Sequence, residues 1–100
     1  MNRYHISNVR KFILGDPDVE LSVRHAALVI IECVDWRTNT KKFFGKPHLK
    51  NWLNHCAATF GVDAQRMPKG LDYLTSVGWL ELVPDNAGLT LRTALIPAVA

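Results

Sequence analysis

Leu49, Trp52, Leu53, Cys56, Ala57 and Phe60 recur at i, +3, +4, +7, +8 and +11, the spacing of one face of an α-helix. His48, Lys50, Asn51, Asn54 and His55 take the opposite face. Pro47 suits the first turn, where a missing N–H costs nothing, and Gly61 supplies a C-terminal stop. Only Gly61-Val62-Asp63 then separates this helix from a second one, with Met67, Leu71, Leu74 and Val77 as its apolar stripe and Gly78 after it. Asp63 is a good N-cap. Two helices joined by so short a glycine-containing turn predict a helix-turn-helix arrangement, and the rest of the chain has to pack around it.

On the N-terminal side, Val23, Ala26, Ala27, Ile30 and Val34 fall at helical spacing. They predict a helix over 22–36, capped by Ser22 and ending near Trp36. Leu28, Val29 and Ile31 fill its other faces, so it is expected to be buried nearly all round. A strand over 28–31 is the competing reading. An earlier short helix is expected over 7–14, with Ser7 as N-cap and Gly15 as stop, before the turn signal Asp16-Pro17-Asp18. Residues 37–46 read as a basic loop with a short strand at 42–44. After Gly78, the runs Trp79-Leu80-Glu81-Leu82-Val83 and Leu89-Thr90-Leu91-Arg92-Thr93 flank the turn-rich Pro84-Asp85-Asn86-Ala87-Gly88, which predicts a β-hairpin. The apolar tail from Ala94 either extends that hairpin as far as Ile96 or packs on a partner.

The chain's 100 residues suit one domain, and 48% apolar with 21% charged residues is an ordinary globular balance. The formal charge is only +3, but its placement is uneven. No acidic residue lies between Asp35 and Asp63, while that stretch holds Arg37, Lys41, Lys42, Lys46 and Lys50. Two readings follow: a solvated basic face, or a patch that meets phosphates. Cys33 and Cys56 sit in apolar helical patterns and read as core residues rather than a disulfide framework. The opening residues lack a signal-peptide core, and the longest apolar run, 26–31, is too short to span a bilayer. A cytoplasmic location is the resulting expectation, with no membrane association.

Gly61-Val62 at the turn, Leu71 and Leu74 in the second helix, and Val77-Gly78-Trp79-Leu80 leading into the hairpin together resemble the winged helix-turn-helix superfamily. The layout is similar to the DNA-binding domains of phage and plasmid replication initiators and of small bacterial regulators. The resemblance covers roughly residues 22–95. It implies a mainly α fold with a small β-hairpin, formed by residues 1–100 as a single domain with an extra N-terminal helix in 1–15 and a tail at 96–100.

In that superfamily the second helix enters the major groove. Carried over to this chain, the helix is expected over 64–77, with Ala64, Gln65, Arg66, Lys69, Asp72 and Tyr73 facing outward. Gln65 suits adenine, and Arg66 or Lys69 suits guanine or phosphate. Lys41, Lys42, Lys46 and Lys50 would hold phosphates, with Arg92 the only basic residue of the hairpin. Three features depart from the pattern. Pro68 would fall inside a helix begun at Ala64, at a cost of about 3 kcal/mol, unless the helix begins later and Pro68 occupies its first turn. Gly70 weakens the helix by roughly 1 kcal/mol against alanine. The hairpin tip carries Asp85 and no lysine or arginine.

The resulting expectation is a small transcriptional or replication regulator that binds double-stranded DNA, of a kind carried by phages and other mobile elements. The competing expectation is a module on the same fold that binds a protein partner instead, favoured by Pro68, Asp72 and the acidic tip. A homodimer through the first helix and the tail is a further expectation. Phe43, Phe44 and Trp52 among basic residues also suit stacking on single-stranded bases, although Trp52 reads better as core. Neither enzymatic activity, a cofactor nor a metal site is expected. His48 and His55 lie two turns apart, no Cys-x-x-Cys or His-x-x-x-His occurs, and Cys56 beside His55 belongs to the apolar stripe.

Overall fold

The computed structural model describes residues 4–34, 40–86 and 88–96. Trp36, Arg37, Ala87 and the tail from Pro97 lie outside the described residues. The elements are β1 (Tyr4–His5), α1 (Ile6–Gly15), α2 (Leu21–Cys33), β2 (Thr40–Phe43), α3 (Lys46–Phe60), a 3-10 turn (Ala64–Arg66), α4 (Met67–Ser76), β3 (Leu80–Asp85), β4 (Gly88–Thr93) and β5 (Leu95–Ile96). The fold is mainly helical with a small antiparallel sheet, and the hairpin is the one the sequence predicts. No helix is long and apolar enough to cross a membrane among the described residues.

The central helix is α2. Val23, Ala26, Ala27, Val29, Ile30 and Ile31 are buried, and solvent sees a strip at Leu21, His25 and Glu32. This is the all-round burial expected of it. The helix starts at Leu21 after Glu20 rather than after Ser22, so Ser22 lies in the first turn and caps nothing. Likewise α1 starts at Ile6, and Ser7 lies inside it. Ile6, Val9 and Ile13 of α1 enter the core. Its C-terminal end is held by Arg24, which donates to the Leu14 carbonyl at 2.6 Å, and an Arg10–Glu32 ion pair ties it further to α2. Outward-facing Phe12 and Leu14 remain exposed.

Gly70 of α4 crosses the Ala26-Ala27 pair of α2 at very close range. A Cβ on Gly70 would stand 2.8 Å from the Ala27 amide nitrogen and 2.9 Å from the Ala26 Cβ. Glycine here costs helix propensity locally, yet it lets two buried backbones approach where no side chain fits.

The helix α3 runs as its periodicity predicts, with Pro47 in its first turn and Gly61 closing it in the left-handed conformation at φ 70°. Leu49, Leu53, Cys56 and Ala57 are buried, whereas Phe60, read as the last residue of the stripe, is 51% exposed. Asp63 caps as expected: its Oδ1 accepts from the Gln65 amide at 2.9 Å. What it caps is the separate 3-10 turn. The α-helix expected over 64–77 begins only at Met67, which places Pro68 in the first turn and ends the conflict over its missing N–H. Val77 lies past the helix end and is partly exposed.

The sheet order is β2-β4-β3, all antiparallel, with Phe43 opposite Leu89 and Leu82 opposite Leu91. Alternation along the strands sends Phe43, Leu80, Leu82, Leu89 and Leu91 to the helices and Lys42, Glu81 and Arg92 to the other face. The hairpin does not extend to Ile96. Ala94 donates to the Trp79 carbonyl at 3.0 Å, and then Leu95–Ile96 leaves to pair in parallel with Tyr4–His5. The rings of Tyr4 and Phe12 meet Trp79 edge-on at 4.7 and 5.5 Å, so the N-terminal segment and the start of the hairpin share one aromatic contact.

Replacing Gly70 by alanine forces α2 and α4 apart. We expect a net loss of stability, because overpacking costs about 1–3 kcal/mol against a propensity gain of about 1 kcal/mol. Gly15→Ala, with nothing within 4 Å of its added Cβ, is the control and leaves stability within about 1 kcal/mol. Urea denaturation of both variants checks this, and an unchanged midpoint for Gly70→Ala refutes the close-approach argument.

Candidate nucleic-acid interface

The cations singled out in the sequence separate into groups once folded. Lys46 and Lys50 are exposed and one turn apart at the N-terminal end of α3, where unpaired N–H groups add positive potential. They line one cleft together with Ala64, Gln65 and Asp72. Lys42 stands on the outer face of β2, opposite Thr90. Lys41, one residue away, falls on the inner face and is half-buried, close enough to Cys56 to act on its thiol. Strand alternation therefore places the two adjacent lysines on opposite faces of the sheet. Arg92 is cross-strand from Glu81 and pairs with its carboxylate at 3.6 Å.

The second helix is similarly divided. Gln65 is exposed on the 3-10 turn, and Lys69 and Asp72 are exposed on α4. Arg66 reaches back to Glu20 at 3.3 Å, a surface pair worth little in stability but enough to direct the guanidinium towards α2. Tyr73 corrects the outward-facing expectation. It is buried, and its hydroxyl donates to Asp16 Oδ2 at 2.9 Å. Burial, and then the Asp16 carboxylate, push its phenol up to about 12. Tyr73 fastens α4 to the loop between α1 and α2 and has no free hydroxyl to offer a ligand.

The cleft itself went unread in the sequence. Its volume is ≈ 580 Å³, and its floor is apolar, with Leu49 and Leu53 from α3, Pro68 and Leu71 from α4, and Leu82 and Leu89 from the hairpin. Alternation within the hairpin was the available signal, since Leu82 and Leu89 point to the same side. Between β2 and α3, the exposed Phe44 ring stacks on His48 at 5.5 Å and 13°, and the Phe44 amide donates to His48 Nδ1 at 3.1 Å.

Cys56 is buried against Cys33, and burial first, then the neighbouring thiol, push it up to about 12. A thiol held protonated at neutral pH is a poor nucleophile. Among the described residues, no three His, Cys, Asp or Glu side chains gather closely enough to hold a metal ion. Comparison of the chain with family models, curated proteins and solved structures finds no match in any of the three.

The Tyr73–Asp16 bond carries a pH signature. A tyrosine whose folded pKa lies above its unfolded value of about 10 stabilises the fold below pH ~10. That contribution is lost as pH rises through about 12. Tyr73→Phe is expected to cost about 1–2 kcal/mol at neutral pH, and the gap from the unmodified protein should shrink in denaturation experiments at pH 10.5–11.5. A gap that stays constant across that range counts against the assignment.

Proposed function

We propose that the chain is a winged-helix module that binds double-stranded DNA. The observation that carries this reading is that Lys46, Lys50 and Gln65 line one cleft, bounded by α3, the 3-10 turn and α4. Helix, strand, helix, turn, helix and hairpin follow in the order of that superfamily, and the strand between the first two of these helices pairs with the far strand of the hairpin. In this reading Lys46 and Lys50 hold phosphates beside the positive end of α3. Gln65, from the 3-10 turn, and Lys69, from the first turn of α4, reach base edges. The hairpin turns between Asp85 and Gly88 with an acidic residue at its tip, so backbone contacts fall to α3 rather than to the wing. A role as a transcriptional or replication regulator, working in the cytoplasm, is part of the same proposal.

One observation favours the second reading, a protein-binding module on the same fold. Lys42 and Arg92 lie on the sheet face opposite the cleft, Lys41 turns inward and Arg66 is ion-paired, so the predicted basic patch does not form one continuous stripe.

Binding to random duplex DNA at several salt concentrations separates the two. The DNA reading expects affinity to fall steeply with salt, the double substitution Lys46→Ala, Lys50→Ala to flatten the log–log slope by about two, and Gln65→Ala to alter preference among sequences while leaving the slope alone. Absence of binding at low salt sinks the DNA reading and leaves the protein-binding module.

A further inference from the structure

The same cleft has features that duplex DNA does not use. A volume of ≈ 580 Å³ lies within the range of small-molecule sites, which are concave, mostly apolar and marked by a few polar groups. Leu49, Leu53 and Leu71 are nearly covered by their own packing, but Leu82 and Leu89 across the gap are only partly buried. Water against these leucines is displaced at a gain by an apolar body of matching size. The rim is asymmetric. On the α3 side stand Lys46 and Lys50, neither with an ion-pair partner among the described residues. On the α4 side stands the Asp72 carboxylate. An anionic head is drawn to α3 and repelled from α4, so the charges orient a ligand as well as attract it. Walls on three sides, from α3, α4 and the hairpin, suit a compact molecule better than a continuous polypeptide, which would have to thread between them.

We propose that this cleft binds a small amphipathic carboxylate. The apolar chain lies against Leu53, Leu71, Leu82 and Leu89, and the carboxylate pairs with Lys46 and Lys50. The site does not require the DNA reading to hold. Where both hold, ligand and phosphate compete for the same two lysines, and occupancy of the cleft lowers DNA affinity.

The test uses decanoate below its micelle concentration, titrated without DNA into the ¹⁵N-labelled chain, so that its failure is independent of any DNA result. Saturable binding is expected, with amide shifts concentrated in 46–53, 64–72 and 82–89. Lys46→Gln with Lys50→Gln should weaken it at least tenfold, while Lys11→Gln with Lys42→Gln, which removes equal charge elsewhere, leaves it unchanged. Decylammonium, which needs no variant, should bind at least tenfold more weakly than decanoate. Non-saturable binding, equal affinity for the two head groups, an equal loss in both lysine pairs, or shifts centred on the smaller groove at His25 and Phe60 would each overturn the proposal.

Discussion

The contact of Gly70 with Ala26 and Ala27 sets the position of α4, and most of the functional surface follows from it. The central helix α2 is fixed by burial on nearly every side. Because α4 can lie directly on its backbone, Met67 and Leu74 become fully buried, and the preceding turn is held at the edge of α2, within reach of Glu20. Tyr73 adds a directional fastening on the same helix through Asp16. A rigid α4 is what a binding surface needs, since groups that meet a ligand are most effective when already in place.

The third wall is placed by different physics. The hairpin packs its leucines inward by strand alternation, and the register with β2 brings Phe43 onto Trp52 of α3 at a ring separation of 5.4 Å. The distance between hairpin and α3 is thus governed by an aromatic contact at the β2 end. On the hairpin side of the cleft the lining residues are Leu82 and Leu89, and among the described residues no aromatic ring fills the space between them and α4.

What could be read from the sequence was what is encoded locally. The 3.6-residue pattern of α3, its proline start and its glycine stop describe that helix almost completely, and the hairpin is visible from its turn residues. Gly70 looked like a local weakness because its partners lie more than forty residues earlier in the chain. Tyr73 looked outward-facing because it lies beside the Met67, Leu71 and Leu74 stripe. It follows Gly70 by three residues on the flank of α4 that lies against α2, and so falls inside. Pro68 was the usable clue to where α4 begins. A two-residue strand such as β5 has no period to detect, so its pairing with Tyr4–His5 was invisible. The site was legible as a run of lysines but not as a surface, because adjacent strand residues part to opposite faces.

The β1–β5 pairing also bears on how the molecule is made. Tyr4 is synthesised well before its backbone partners at Ala94 and Leu95. The helical part, rich in short-range contacts, can organise as it emerges, whereas this strap closes a loop spanning nearly the whole chain and bears the largest entropic cost of any contact in the fold. Until it closes, Trp79 lacks its ring contact with Tyr4 and keeps only the one with Phe12. Closing the strap therefore completes the aromatic cluster around Trp79.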